Sequence, residues 1–219
     1  VSYFHKLMSE KHMGANTVIL DGGMGRELQR QGAPFRQPEW SALALSEAPQ
    51  AVEAVHAAYI ESGANVITSN SYAVVPFHIG EARFASEGQA LAGLAGELAR
   101  RAVDAAGKPV RVAGSLPPLF GSYRPDLFDA ARVTELLTPL VNGGLPKDGK
   151  PFWLSFTLKD EDIDEVPRLR SGEPVAEAAA VAAGLGVETL LFNCSQQEVI
   201  GAAIDAARET FERLGVKIH

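Results

Sequence analysis

Apolar residues in this chain come in short, dense runs, and each run ends in small or polar groups. Such runs stand at Val18–Asp21, Asn65–Ser69, Val110–Gly114, Phe152–Leu158, Thr189–Asn193 and Val216–His219. They are too short for helices and too continuous for strands with one wet face, so they read as strands of a parallel sheet buried under helices. The gaps between them carry helical phrasing. Residues 49–63 open on Pro49 and close on Gly63, as helices prefer. Further helices are expected over 86–106, ending at Gly107, and over 129–141, 173–185 and 197–214. Another is expected to begin near Gly23. Strand–helix alternation of this kind demands a parallel α/β fold.

Two architectures satisfy that pattern, an open doubly wound sheet and a closed (β/α)8 barrel. Asp21-Gly22-Gly23-Met24-Gly25 has the glycines of a phosphate loop but matches neither the dinucleotide fingerprint nor a Walker sequence with its lysine. Polar residues at nearly every strand end suit a TIM-type barrel, whose site lies at the carboxyl ends of the strands. The expected fold is therefore a (β/α)8 barrel over residues 16–219. Residues 1–15, with His12-Met13 inside them, read as a tag or disordered N-terminus rather than a secretion signal. The barrel is short of strands. Eight are needed, and the spacing breaks where the helix at 129–141 runs into Gly143-Gly-Leu-Pro-Lys-Asp-Gly-Lys150. The fourth and eighth strands are missing from the count, and a break in the path near 142–145 is expected.

Composition narrows the function. A net charge of −7 leaves no basic face to neutralise phosphates, which argues against nucleic-acid or anionic-membrane partners. No run of 18 apolar residues occurs. A single cysteine, Cys194, excludes an internal disulfide framework and suits a reducing cytoplasm. The same cysteine at a strand end could be a small buried hydrophobe or a metal ligand. Asp21 could cap the helix starting near Gly23 or face a ligand.

Six phrases stand in a telling order: Leu-Asp-Gly-Gly-Met-Gly25, Pro-Glu-Trp40-Ser, Gly-Ala-Asn-Val-Ile-Thr-Ser-Asn-Ser-Tyr72, Val-Ala-Gly-Ser115, Trp-Leu-Ser-Phe-Thr-Leu158 and Phe-Asn-Cys194. In that order the chain resembles the homocysteine S-methyltransferase family of zinc-dependent barrels, from about residue 17 onward. The resemblance implies that Asp21, Gly22, Gly23 and Met24 hold the amino-acid part of homocysteine, and that Cys194 is the first of three zinc-binding cysteines. The strand bearing a substrate-binding glutamate and the Gly-Gly-Cys-Cys phrase with the other two ligands have no counterpart in the 219 residues. Trp40 either lines the donor pocket or packs as a core or loop aromatic. Asn70, Ser115 and Thr157 lie toward the mouth, where they either bind substrate or satisfy backbone groups, and Tyr72 could form a pocket wall.

The function expected is transfer of a methyl group from a sulfonium donor, S-methylmethionine or S-adenosylmethionine, to the zinc-activated thiol of homocysteine, giving methionine. No organic cofactor is implied, and the oligomeric state, a homo-oligomer included, is left open. Two rivals remain. A barrel lyase or aldolase would use a Schiff-base lysine or carboxylate-held metal, yet the strands at 18–21, 65–69, 110–114, 152–158 and 189–193 hold no lysine. A relative without the zinc site would bind an amino acid or a partner without catalysis. His5, His12 and His219 are terminal, His56 is expected on the exposed side of its helix, and none is given a catalytic role. The acidic stretch 159–165 reads as a solvated loop.

Overall fold

The computed structural model describes residues 17–144, 152–160 and 166–217. The chain divides into two compact units, Val1–Lys147 and Asp148–His219. The proposed tag, Leu145–Lys150, most of the acidic stretch and Ile218–His219 lie outside the described residues.

In the first unit, α1 (Met24–Arg30), α2 (Ser41–Glu47) and α3 (Pro49–Glu61) lead to β1 (Val66–Thr68). After it come α4 (Pro76–Ile79), α5 (Glu81–Ala106), β2 (Arg111–Ala113), two 3-10 turns and α6 (Val133–Gly144). The strands β1 and β2 are parallel, with Val66 opposite Arg111 and Thr68 opposite Ala113. The run expected as a strand at Val18–Asp21 makes only a bridge at Leu20, parallel to Val66. It is still laced to β1, because Asn65 N–H donates to Ile19 O at 2.8 Å and Asp21 N–H to Val66 O at 3.0 Å. Three parallel segments therefore end together at Asp21, Thr68 and Ala113.

The second unit pairs β3 (Trp153–Phe156) with β4 (Thr189–Phe192) in parallel, Trp153 opposite Thr189, and adds α7 (Val175–Gly184) and α8 (Gln197–Leu214). Its core is Leu158, Leu169, Val175, Ala179, Val199, Ala203, Ala207 and Phe211. The first unit is built round Leu28, Leu45, Val52, Val55, Val74, Leu98, Leu136 and Leu140, with a second cluster of Ile60, Ile67, Ala99 and Ala102 under β1. No described helix is long and apolar enough to cross a membrane.

Several expectations need correction. The strand expected at 216–219 is not formed at Val216 and Lys217. Gly215 takes φ 67°, and Val216 N–H returns to Phe211 O, so this stretch closes α8 instead of opening a strand. The helix expected from 129 starts at Val133, because Asp129 caps a 3-10 turn by accepting Ala131 N–H. Asn142 to Gly144 continue α6 without the break expected there, and Leu145 is beyond the described residues.

His56 is the largest correction. It is 0% exposed, neither ring nitrogen has a hydrogen-bond partner, and burial pushes its pKa down to about 4. The unfolded ring titrates near 6.5, so the fold must exclude a proton that the unfolded chain accepts. Stability is present above pH 6.5 and is lost as pH falls toward 4, by about 3 kcal/mol over that window. Urea titrations at pH 7 and pH 4 should show this loss, and His56→Leu should abolish most of it without weakening the fold at pH 7.

Candidate functional site

The end of the 19–21 segment sets Asp21 beside β1. Its Oδ2 accepts Thr68 N–H at 2.7 Å and its Oδ1 accepts the Thr68 hydroxyl at 3.0 Å. Asp21 does not cap α1: the N-cap is Gly23, with no side-chain capping bond. Burial raises the Asp21 pKa, and the two Thr68 bonds oppose that. Each carboxylate oxygen has capacity for a further donor, and the side chain is half-buried rather than sealed. A positively charged group reaching it would favour its ionised form.

The glycines after Asp21 serve different ends. A Cβ on Gly22 would stand 2.9 Å from the Tyr59 ring and hydroxyl, and one on Gly25 2.6 Å from Phe35. Gly23 meets nothing closer than 3.9 Å. Tyr59, on α3, also donates its hydroxyl to Gly23 O at 3.3 Å. It is a half-buried strut under the loop that the sequence did not single out. Gly22→Ala should therefore cost about 1–3 kcal/mol by displacing Tyr59, whereas Gly23→Ala should stay within about 0.5 kcal/mol. Thermal melts of the two variants test this difference. Met24 opens α1 and packs half-buried on the core.

Polar groups after β1 and β2 are largely spent on one another. Ser69 Oγ accepts Ser115 N–H at 3.0 Å, and Ser71 Oγ donates to Ser115 O at 2.8 Å. The Tyr72 and Ser122 hydroxyls bond at 2.8 Å. Asn70 is buried and donates to Ser41 O at 3.0 Å. Trp40 precedes Ser41, is half-buried, and takes φ 49°, rare for any residue with a Cβ.

In the second unit, Cys194 follows β4 with φ 50° and an exposed thiol, so it is not a buried hydrophobe. Its neighbours are pinned to the end of β3. Asn193 N–H donates to Phe156 O at 3.0 Å, and Ser195 Oγ accepts Leu158 N–H at 2.8 Å while donating to Asn193 O at 2.9 Å. The Thr157 hydroxyl reaches Asn193 Oδ1 only at 3.5 Å. Asp160 accepts Gln196 N–H at 2.9 Å and the Arg170 guanidinium at 2.8 Å. Asp160, expected in a solvated loop, thus anchors the turn that carries Cys194. The thiol suits a soft metal. The number of donors does not: Cys194 is the only cysteine, and no group of three His, Cys, Asp or Glu side chains is gathered among the described residues. One thiolate falls short of the three protein ligands of an open catalytic zinc site, so these residues do not by themselves form one.

Comparison with known proteins places these residues in context. The family model for homocysteine S-methyltransferase matches residues 18–138 and 126–218. The chain is 30% identical to a homocysteine S-methyltransferase of Escherichia coli (strain K12) over 234 residues, 85% of this chain and 72% of that protein. It is 37% identical to a selenocysteine methyltransferase of Astragalus bisulcatus over 94 residues, a match spanning 42% of this chain and 28% of that one. The metallated form of the homocysteine methyltransferase MmuM from Escherichia coli superposes with a TM-score of 0.70 at 26% identity, covering 90% of this chain and 81% of that chain. The 234-residue alignment is longer than the 219-residue chain, so that relative carries residues within the aligned span that this chain lacks. The two family matches also share residues 126–138, so the family pattern restarts within the stretch leading into α6.

Proposed function

The chain belongs to the homocysteine S-methyltransferase family, and from that premise we propose that it moves a methyl group from a sulfonium donor to the thiol of homocysteine, giving methionine. Asp21 carries the substrate reading: it is a half-buried carboxylate at the end of three parallel segments, with acceptor capacity beyond its Thr68 bonds. In this reading Asp21, with the loop of Gly22, Gly23 and Met24, takes the substrate's ammonium group. Asn70 and Ser115 hold the surrounding backbone, and Trp40 faces the donor.

The reaction needs little else from the protein in the way of covalent chemistry. A free thiol ionises near pH 8.5, and the thiolate is the nucleophile. The thiolate attacks the methyl carbon as the methyl–sulfonium bond breaks. The donor leaves as a neutral thioether, and the thiol proton has already passed to solvent or base. An indole face stabilises a sulfonium as it does other cations, which is the use proposed for Trp40. S-Methylmethionine and S-adenosylmethionine both fit this chemistry.

Cys194 is proposed as one thiolate ligand of a zinc ion, which when bound would favour the ionised form of the homocysteine thiol. The other ligands such a site needs are not gathered beside Cys194 among the described residues. The fold is proposed to be a (β/α)8 barrel in which these residues supply neither the fourth strand, expected between α6 and β3, nor the eighth. The long alignment and the repeated match at 126–138 support that reading. A second reading, amino-acid binding without catalysis, is favoured by the single cysteine alone.

Calorimetric titration with L-homocysteine and with 4-mercaptobutyrate, which lacks only the ammonium group, tests the substrate assignment. Homocysteine should bind about a hundredfold more tightly, as expected for loss of one partner of a charged pair. Equal affinities would remove Asp21 from its role.

A further inference from the structure

Trp40 holds a backbone conformation that its own side chain resists. Its φ of 49° and ψ of −128° are those of the first central position of a type II′ turn, where glycine is the usual residue. Such a conformation costs about 1–3 kcal/mol and persists only where the surroundings over-determine it. Two buried polar side chains do so here. Asn70, 3% exposed, donates to Ser41 O at 3.0 Å. His78, 4% exposed at the end of α4, bonds Pro38 O through Nδ1, also at 3.0 Å. A carbonyl only accepts, so Nδ1 carries the proton and the neutral ring keeps its lone pair on Nε2. The His78 ring also lies against the Trp40 indole, centroids 5.1 Å apart at 37°, and meets Phe77 edge-on at 5.0 Å. Ala42 N–H closes this turn onto Glu39 O at 3.0 Å, and Trp40 N–H ties the preceding turn to Arg36 O at 2.7 Å.

We propose that His78 and Asn70 form a two-point clamp on the carbonyls flanking Trp40, and that the clamp makes both of them positioning residues for the aromatic wall that receives the sulfonium donor. The clamp follows from the contacts alone. Its bearing on the donor rests on the methyl-transfer reading above. Without the clamp the turn relaxes to an ordinary conformation and the indole turns away from the position in which His78 backs one of its faces.

The test uses the full chain with Trp153→Phe, which leaves Trp40 as the only tryptophan. His78→Ala should shift the Trp40 emission and increase its acrylamide quenching. His78→Asn, whose amide N–H falls where Nδ1–H stood, should restore both, and His78→Gln, whose amide reaches too far, should not. Binding of S-adenosylmethionine and S-methylmethionine should weaken about tenfold in His78→Ala and recover in His78→Asn, a loss the size of one buried hydrogen bond. Homocysteine affinity should stay within about twofold, because Asp21 and Thr68 are not touched. An unchanged Trp40 signal in a folded His78→Ala protein would overturn the clamp, as would equal recovery by Asn and Gln. If the signal responds as described but Trp40→Ala binds both sulfonium donors as the parent does, the clamp stands and the donor wall is overturned.

Discussion

Asp21→Ala is expected to weaken homocysteine binding by about a hundredfold and to lower the stability of the first unit by about 1.5–3 kcal/mol. The two losses have separate causes. Binding falls because the substrate's ammonium loses its only proposed counter-charge. Stability falls because Thr68 N–H and the Thr68 hydroxyl lose the oxygens that they reach at 2.7 and 3.0 Å across two neighbouring segments. Asp21→Asn separates these effects. It keeps a carbonyl acceptor for one Thr68 donor, so it should melt closer to the parent while binding homocysteine as poorly as the alanine variant. The pH dependence follows from the raised Asp21 pKa. Folding favours the protonated carboxyl, a stabilisation present in acid and lost as pH rises through the folded pKa. An ammonium partner favours the ionised form, so homocysteine affinity should rise with pH through that same window. Calorimetry across the acid range, paired with thermal melts, measures both.

Cys194→Ser is expected to leave the fold within about 0.5 kcal/mol, because the thiol is exposed and its turn is held by its neighbours. Methyl transfer and the proposed bound zinc, measured on protein from its native cells, should fall together, each by at least about a hundredfold. Even outer-shell partners of metal ligands cost ten- to a hundredfold when removed, and a hydroxyl is a far poorer zinc ligand than a thiolate. Metal analysis and activity measured on the same preparations would show the two losses in step. Full zinc occupancy with serine at this position would remove Cys194 from the ligand set.

The sequence made the strands legible because their apolar runs are dense and end at polar groups, a pattern that burial under helices enforces. It hid α2 because Ser-Ala-Leu-Ala-Leu is buried on all sides and shows no period, and α4 because four residues opening on a proline carry no periodicity at all. Val216 misled because a β-branched residue after a glycine reads as a strand start, when Gly215 was the left-handed terminator of α8. The burial of His56 was readable after all: Val52, Val55, His56 and Ile60 fall at helical spacing on one stripe. The partners of Asp21 were not readable, since Thr68 lies 47 positions away and only the parallel register brings it near. The conformations of Trp40 and Cys194 were equally hidden, because neither residue type is one that a turn rule assigns to positive φ.

The most direct measurement is transfer of an isotopically labelled methyl group from S-methylmethionine or S-adenosylmethionine to L-homocysteine by the protein purified from its native cells. Labelled methionine should form from at least one donor, and Asp21→Ala and Cys194→Ser should each suppress it. Tight homocysteine binding with no label passing from either donor would contradict the account and leave an amino-acid-binding protein.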